Sequence, residues 1–445
     1  MSEREQTRLG AKRFAVRTLG CKVNQYETEA IEELFLKNGY VRALPEEICD
    51  VYVINTCTVT RLSDAKCRQQ IRRVRRKNPA AIIAVIGCYA QVAPDEIAAI
   101  EGVDIILGTK GRASLVARVE QFARDGKRIN AVTDLEEDRC YDEITISTEL
   151  SLTRAHVKIQ EGCDMFCSYC IIPYARGHIA SRPLSSIRSE LDRLAKQGFH
   201  EVIFTGIHIA SYGKENHSGI GLIDVLEEAA SVPEIQRIRL SSIEPRWVDE
   251  DKLQRMVQTQ KICDHFHLSL QSGSDRILRA MNRHYTTALY RERVALIREF
   301  YPDAGMTTDV IVGFPGETEA DFAETMAFCQ EMGFSKIHIF PYSSRPGTRA
   351  AEWKDSVSPQ EKAERAARLS ELEENLRHTF ADRYIGKTVK VLFEEFSGDG
   401  ASMEGYSTNY LRVHCPRNSE LINHICDVRV TGRSGDILIG EVSPL

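Results

Sequence analysis

No stretch of this 445-residue sequence strings together the roughly 18 apolar residues that a bilayer-crossing helix needs, so no membrane association is expected. The first dozen residues are polar with no apolar core, and they read as a loose tail, not a signal peptide. An excess of positive charge is missing as well. The 58 Lys and Arg against 64 Asp and Glu leave a net charge of −6, so composition does not announce a nucleic-acid binder. With no export route in view, 13 cysteines argue against a disulfide framework and for metal or redox work in a reducing, cytoplasmic setting. Hydrophobic residues at 42% and charged residues at 27% are ordinary for a globular protein, and the length predicts two or three domains.

What is present is organised around Cys163, Cys167 and Cys170, in Gly162-Cys-Asp-Met-Phe-Cys-Ser-Tyr-Cys-Ile-Ile-Pro173. Thiols spaced C-x3-C-x2-C on one loop can converge on three corners of a cubane. A [4Fe–4S] cluster normally takes four thiolates, so three leave one iron open. S-adenosylmethionine suits that iron, because its amino and carboxylate groups chelate it and set the sulfonium beside the cluster. One electron then breaks a C–S bond and yields a 5′-deoxyadenosyl radical. Tyr169, just before the third cysteine, belongs to the expected cofactor site. A zinc site with a distant fourth ligand, or chance clustering of buried thiols, remains open at this point.

From about residue 13 to 125 strands alternate with helices. Strand-like runs at 14–19, 51–55, 82–87 and 103–107 are separated by helix-like stretches at 25–38, 61–77, 94–101 and 111–124. This is the grammar of a doubly wound parallel sheet. Each of the first three strands runs straight into a cysteine: Cys21, Cys57 and Cys88. In such sheets the carboxyl ends of the strands face the ligand crevice. Three thiols on one rim predict a second three-thiolate cluster, although any one of them alone reads as a buried apolar cysteine. Cys49, Cys67, Cys140, Cys263, Cys329, Cys415 and Cys426 share no such placement. The 61–77 helix carries eight cations in its neighbourhood from Arg61 to Lys77 against Asp64, which reads as a solvated face or an RNA footprint.

Residues 126–152, with Asp134, Glu136, Glu137, Asp138, Asp142 and Glu143, read as an acidic linker. From 153 to 345 a second series of strands follows at 155–160, 201–206, 236–241, 265–270, 305–312 and 336–341. Six β/α units predict an open, partial barrel with its chemistry at the C-terminal ends of the strands. Thr205, Gly206, Ser242, Glu244, Gln271 and Asp309 fall there and are expected to line the adenosylmethionine pocket. Residues 358–383 read as one long charged helix, and 387–445 as a small all-β barrel with strands at 388–393, 410–414, 427–430 and 437–441. The fold class is therefore α/β, and the expected domains are 11–126, a linker at 127–152, 153–383 and 384–445.

Ordered motifs over nearly the whole chain resemble the radical-SAM methylthiotransferases. They are Leu19-Gly-Cys-Lys-Val-Asn-Gln-Tyr-Glu27, Asn55-Thr-Cys-Thr-Val-Thr60, Gly87-Cys-Tyr-Ala-Gln91, the Gly162–Pro173 stretch, Phe204-Thr-Gly-Ile-His-Ile-Ala-Ser-Tyr-Gly213 and Phe340-Pro-Tyr-Ser-Ser-Arg-Pro-Gly-Thr348. That family has an N-terminal cluster domain, a radical-SAM core and a C-terminal RNA-binding TRAM barrel. The resemblance implies two [4Fe–4S] clusters: Cys163, Cys167 and Cys170 would hold the adenosylmethionine cluster, and Cys21, Cys57 and Cys88 an auxiliary one whose open iron carries the sulfur to be transferred. It further implies replacement of an adenine C2–H by methylthio, with one adenosylmethionine methylating the auxiliary sulfur and a second supplying the radical. Within the family, Lys22-Val-Asn-Gln25 points to the branch acting on N6-threonylcarbamoyladenosine beside the anticodon in tRNA. An external electron donor and a sulfur donor are implied partners. Sister branches act on isopentenyladenosine in tRNA or on a ribosomal-protein aspartate, and a non-catalytic iron–sulfur RNA-binding scaffold would also explain the modules. Arg345, after the sixth strand, is the candidate to pair the threonylcarbamoyl carboxylate. Arg176 is a second expected substrate contact. Relatives often carry a further arginine shortly after the Arg176-Gly177 pair, where this sequence has His178-Ile-Ala-Ser-Arg182.

Overall fold

The computed structural model describes residues 12–136, 139–144, 153–216, 219–398 and 400–443. The polar tail through residue 11, and Glu137 and Asp138 of the acidic stretch, lie outside them. The described chain divides into two compact units, and the division is not a single cut along the sequence. One unit joins the N-terminal segment to Gln160–Arg182 and Ser343–Thr348; the other holds the rest.

The first unit is built on six strands: β1 (Arg13–Thr18), β2 (Val41–Arg42), β3 (Val51–Thr56), β4 (Ile82–Gly87), β5 (Ile105–Leu107) and β6 (Ile129–Asn130). They are parallel, in the spatial order β2-β1-β3-β4-β5-β6. β3 is buried at every residue, as a central parallel strand covered on both faces must be. The two-residue period splits its apolar run between two cores: Tyr52 and Ile54 join Ile83 and Val85 on one face, while Val51 and Val53 join Ala84 and Ile86 on the other.

The helices α1 (Lys22–Lys37), α2 (Arg61–Lys77), α3 (Cys88–Val92), α4 (Pro94–Ala98) and α5 (Leu115–Asp125) complete the doubly wound arrangement. α1 begins three residues earlier than the periodicity suggests, because Cys21 itself occupies the N-cap position. α2 turns Asp64, Cys67, Ile71 and Val74 inward at helical spacing, which leaves its cations on the other face. The Thr60 hydroxyl caps it by accepting from the Ser63 N–H at 3.2 Å. The edge strands β2 and β6 were not expected; two residues each are too few to make a pattern.

In the second unit the strands β7 (Arg154–Glu161, shared with the first unit at its end), β9 (Glu201–Gly206) and β10 (Arg237–Leu240) adjoin in the order β10-β9-β7. β11 (His265–His267), β12 (Gly305–Val312) and β13 (Lys336–Pro341) form a parallel set. Bridges Ile238↔Ile262 and Ile243↔Leu268 continue β10 into β11, giving the open six-stranded curl that the strand count predicts. Within the first unit β8 (Ala180–Ser181) pairs antiparallel with the end of β7, and the short helix α6 (Ile172–Arg176) precedes it.

The long helix α13 (Pro359–Asp382) opens with a capping box in which Ser358 and Glu361 exchange bonds, and it buries Leu369, Leu376 and Phe380. The intervening helices are α7 (Leu184–Lys196), α8 (Leu222–Ala230), α9 (Glu250–Thr259), α10 (Asp275–Ala280), α11 (Thr287–Phe300) and α12 (Glu319–Met332). β14 (Thr388–Phe396), β15 (Ser402–Ser407), β16 (Arg412–Pro416), β17 (Ile425–Ser434) and β18 (Ile437–Val442) close into a barrel.

The turn between β15 and β16 seals the N-terminal ends of the curled strands. Arg239 donates to the Thr408 and Ser407 carbonyls at 2.9 and 3.2 Å and to the buried Glu201 at 2.9 Å. Its guanidinium lies over the Tyr410 ring, which stacks on His265 at 4.7 Å. The opposite ends of these strands carry the residues expected to bind cofactor.

Candidate cluster-binding sites

β1, β3 and β4 are adjacent and in register, with Thr18 opposite Asn55 and Asn55 opposite Ile86. Their three following turns therefore open side by side, and each presents a cysteine: Cys21, Cys57 and Cys88. Two glycines make this possible. Gly20 has φ +124°, and a Cβ there would stand 2.7 Å from Cys57 Cβ and 3.1 Å from its sulfur. Gly87 has φ +92°, and a Cβ there would meet Asn55 Oδ1 at 2.6 Å and the Thr56 carbonyl at 2.7 Å. Both approaches are closer than any side chain permits. The thiols are near enough that charge on Cys21 raises Cys57 and Cys88. Burial is the larger influence: it pushes Cys57 up and Cys88 to about 11, with Arg176 pulling both back toward the thiolate.

Among the described residues no disulfide joins any cysteine. Three reduced, mostly buried thiols beside a fixed cation fit a soft, anionic iron–sulfur ligand set. Cys67 is the neighbour the spacing argument passes over. It is fully buried, its sulfur lies 3.7 Å from the Cys57 carbonyl, and burial pushes it to about 12, as expected of an apolar cysteine.

Cys163, Cys167 and Cys170 lie on the loop between β7 and α6, in the same unit as the first triad. Cys163 N–H donates to the Gly177 carbonyl at 3.0 Å, and Cys170 N–H to the Cys167 carbonyl at 2.9 Å. Phe166 takes a left-handed φ of +45°, turning the loop between its first two thiols. Cys167 is buried, whereas Cys163 and Cys170 are half-buried. His178 clamps this loop: Nδ1 lies 2.6 Å from Asp164 and Nε2 3.0 Å from Glu136. Those two carboxylates raise its pKa, Glu136 first and Asp164 next. Tyr169 sits half-buried between Cys167 and Cys170.

The two expected substrate arginines are both buried and held by the chain's own side chains. Arg176 is fully enclosed, with its nitrogens facing Cys88, Glu27, Glu161 and Asn24, so no face is open to a substrate. Glu27 and Glu161 also pair with the buried Arg112, whose other end meets Asp142 at 2.8 Å. Arg345 is 4% exposed and lies against the Cys57 turn, with Nη1 at 2.6 Å from Asp64 and Nη2 donating to Thr58. A substrate carboxylate would have to compete with Asp64 for it. The signal that could have exposed both is the acidic residue, Glu27 or Asp64, close after each cysteine.

In the second unit the expected pocket residues occupy the C-terminal strand ends. Thr205 is buried at the end of β9, Gly206 half-buried beside it, and Ser242 exposed after β10. Glu244 holds Arg246 through two bonds of 2.7 and 3.2 Å. Gln271, at φ +73°, extends the sheet through bonds with the backbone of Asp309 and Ile311. Asp309 faces His267 at 3.2 Å and is in register with His338; the donor atoms of these three lie within 4.8 Å of one another. Neither histidine was singled out from sequence. Their signal is the two-residue alternation that places His265, His267, Thr307, Asp309 and His338 on one face. His208, after β9, is lowered to about 4 by burial, which keeps its ring neutral.

Residues 157–329 match the Radical SAM superfamily, and residues 13–108 match the family described as "Uncharacterized protein family UPF0004". The threonylcarbamoyladenosine tRNA methylthiotransferase MtaB of Bacillus subtilis is 41% identical over 94% of this chain and 93% of its own length. A tRNA-2-methylthio-N(6)-dimethylallyladenosine synthase of Natranaerobius thermophilus is 34% identical over 97% of each. Among solved structures, the radical S-adenosylmethionine methyltransferase TsrM of Kitasatospora setae superposes with a TM-score of 0.56 at 15% identity over 77% of both chains, a likeness of fold alone. At these identities and this coverage, the chain belongs to the radical-SAM tRNA methylthiotransferases.

Proposed function

We propose that this enzyme replaces the C2–H of N6-threonylcarbamoyladenosine, beside the anticodon of tRNA, with a methylthio group. As a radical-SAM enzyme it uses a [4Fe–4S] cluster and S-adenosylmethionine, which together supply one-electron chemistry for a C–H bond of no useful acidity. Cys163, Cys167 and Cys170 would hold that cluster, with Thr205, Gly206, Ser242, Glu244, Gln271 and Asp309 toward the cofactor. Cys21, Cys57 and Cys88 would hold a second cluster bearing the sulfur to be transferred. The observation that carries this reading is the convergence of these three thiols on register-matched strand ends, in the unit that also contains the Cys163–Cys170 loop.

The protein's own residues prepare the site. Gly20 and Gly87 let the turns close, His178 pins the central loop through Asp164, and the neutral His208 can accept a hydrogen bond. Exposed Lys66, Arg72, Arg73, Arg76 and Lys77 on α2 supply cations for tRNA phosphates, and a single-stranded loop lets the base be splayed out for access to C2. An external reductant and a sulfur donor complete the set of partners, in the cytoplasm.

The test assays the enzyme on matched anticodon stem-loops bearing threonylcarbamoyl-, isopentenyl- or unmodified adenosine. Methylthiolation of the threonylcarbamoyl form is expected. The 34% identity to a dimethylallyladenosine synthase makes the isopentenyl form the competing substrate, and preference for it would overturn the assignment.

A further inference from the structure

Arg176 closes α6, the helix directly after Cys170, and every nitrogen of its buried guanidinium has a partner. Nε donates toward Cys88 Sγ at 3.2 Å. Nη1 meets Glu161 at 3.0 Å and Glu27, and Nη2 reaches Asn24 Oδ1 at 2.7 Å and Glu27 Oε2 at 3.1 Å. Asn24 in turn donates to the Leu19 and Thr56 carbonyls at 2.8 and 3.0 Å, just ahead of Cys21 and Cys57. One guanidinium and one amide thus tie down the turns of all three thiols.

A tie alone would not need a nitrogen aimed at sulfur. Resting on the reading that Cys21, Cys57 and Cys88 hold the auxiliary cluster, we propose that Arg176 sets that cluster's reduction potential by donating Nε–H to the Cys88 sulfur and fixing a positive charge beside it. Reduction adds negative charge to the cluster and its sulfurs, so a hydrogen bond and a cation at a ligand sulfur favour the reduced state and raise the potential. Glu27 and Glu161 offset part of the charge. They also lock the planar fork so that Nε keeps facing the sulfur, a geometry lysine cannot reproduce. Arg176 is therefore a positioning and tuning residue that meets no substrate.

The test uses full-length protein with Cys163, Cys167 and Cys170 all changed to alanine, reconstituted so that only the auxiliary cluster is present. Its potential is measured by EPR-monitored redox titration with Arg176, Arg176→Lys or Arg176→Gln. Arg176→Gln should lower the reduction equilibrium constant at least tenfold, which is 59 mV for one electron, with Arg176→Lys in between. A change under twofold in Arg176→Gln, with iron content intact, would leave Arg176 a mere tie and overturn the proposal. Should Arg176→Gln lose its cluster, pulsed EPR on the reduced cluster of the Arg176 protein, grown with 15N-labelled arginine, decides. A coupled arginine nitrogen is expected, and its absence overturns the proposal. Absence of iron from the Cys163/Cys167/Cys170 variant is a different failure: it removes the auxiliary-cluster reading itself, and this inference with it.

Discussion

Glu27→Gln should loosen the segment Gln160–Arg182 from α1. Glu27 is 1% exposed and answers two buried guanidiniums, Arg176 through both carboxylate oxygens and Arg112 at 3.0 Å. At an effective dielectric of 20, unit charges at that 3.0 Å separation attract by about 5.5 kcal/mol. Part of that gain goes to keeping Glu27 itself out of water, so the net loss sits within the roughly 3–5 kcal/mol seen when one partner of a buried pair is removed. Glutamine retains one acceptor oxygen, which argues for the lower end. It also points an N–H2 at a guanidinium, which argues against anything smaller. At about 1.4 kcal/mol per factor of ten, local opening becomes on the order of 100-fold more frequent. Hydrogen exchange of the amides in 160–182 reads this directly, with Glu47→Gln, in an exposed pair with Arg13, as the control that changes nothing there. Exchange within threefold of the unmodified protein would refute the argument that this network holds the segment.

Gly87→Ala should abolish cluster assembly at Cys88 and roughly halve the iron content, because the added Cβ meets the Thr56 backbone as well as the Asn55 side chain; iron analysis after reconstitution checks it. The His178 clamp should weaken with rising pH. Its folded pKa lies above the ordinary value of about 6.5, so its contribution is complete below that value and is lost as pH rises through the raised folded one. Iron loss to a chelator should accelerate over that upper range, and His178→Gln should remove the pH dependence. Changing Arg72, Arg73 and Arg76 to alanine should weaken stem-loop binding and flatten its salt dependence by about one unit of slope for each phosphate no longer neutralised, as fluorescence titration at several salt concentrations would show.

Much of this architecture was legible in the linear pattern. The buried runs of the first unit alternate with helices, and α2 and α13 fall where the charge, periodicity and caps put them. Strand β15 escaped, because Ser-Met-Glu-Gly-Tyr-Ser has neither an apolar run nor a β-branched residue; it is held by the ladders on its two sides. The three thiols at the ends of β1, β3 and β4 could be read from strand order alone. Their surroundings could not. Arg176 is separated from Glu27 by 149 positions and Arg345 from Thr58 by 287, so local composition makes both look like exposed cations available to a substrate. For the same reason the segment Gln160–Arg182, which reads as the opening of the second strand series, packs with the N-terminal unit instead. His178 shows a related effect: the carboxylates that favour its charged form, Asp164 and Glu136, stand 14 and 42 positions away in the sequence.

The most direct test of the account is the iron and sulfide content of the anaerobically reconstituted protein, before and after changing each cysteine triad to alanine. Two clusters predict about eight irons and eight sulfides per chain, falling to about half in the Cys163/Cys167/Cys170 variant and again to about half in the Cys21/Cys57/Cys88 variant. The second variant should still cleave S-adenosylmethionine under dithionite while making no methylthiolated tRNA. Zinc in place of iron, or full iron content in either variant, would contradict it.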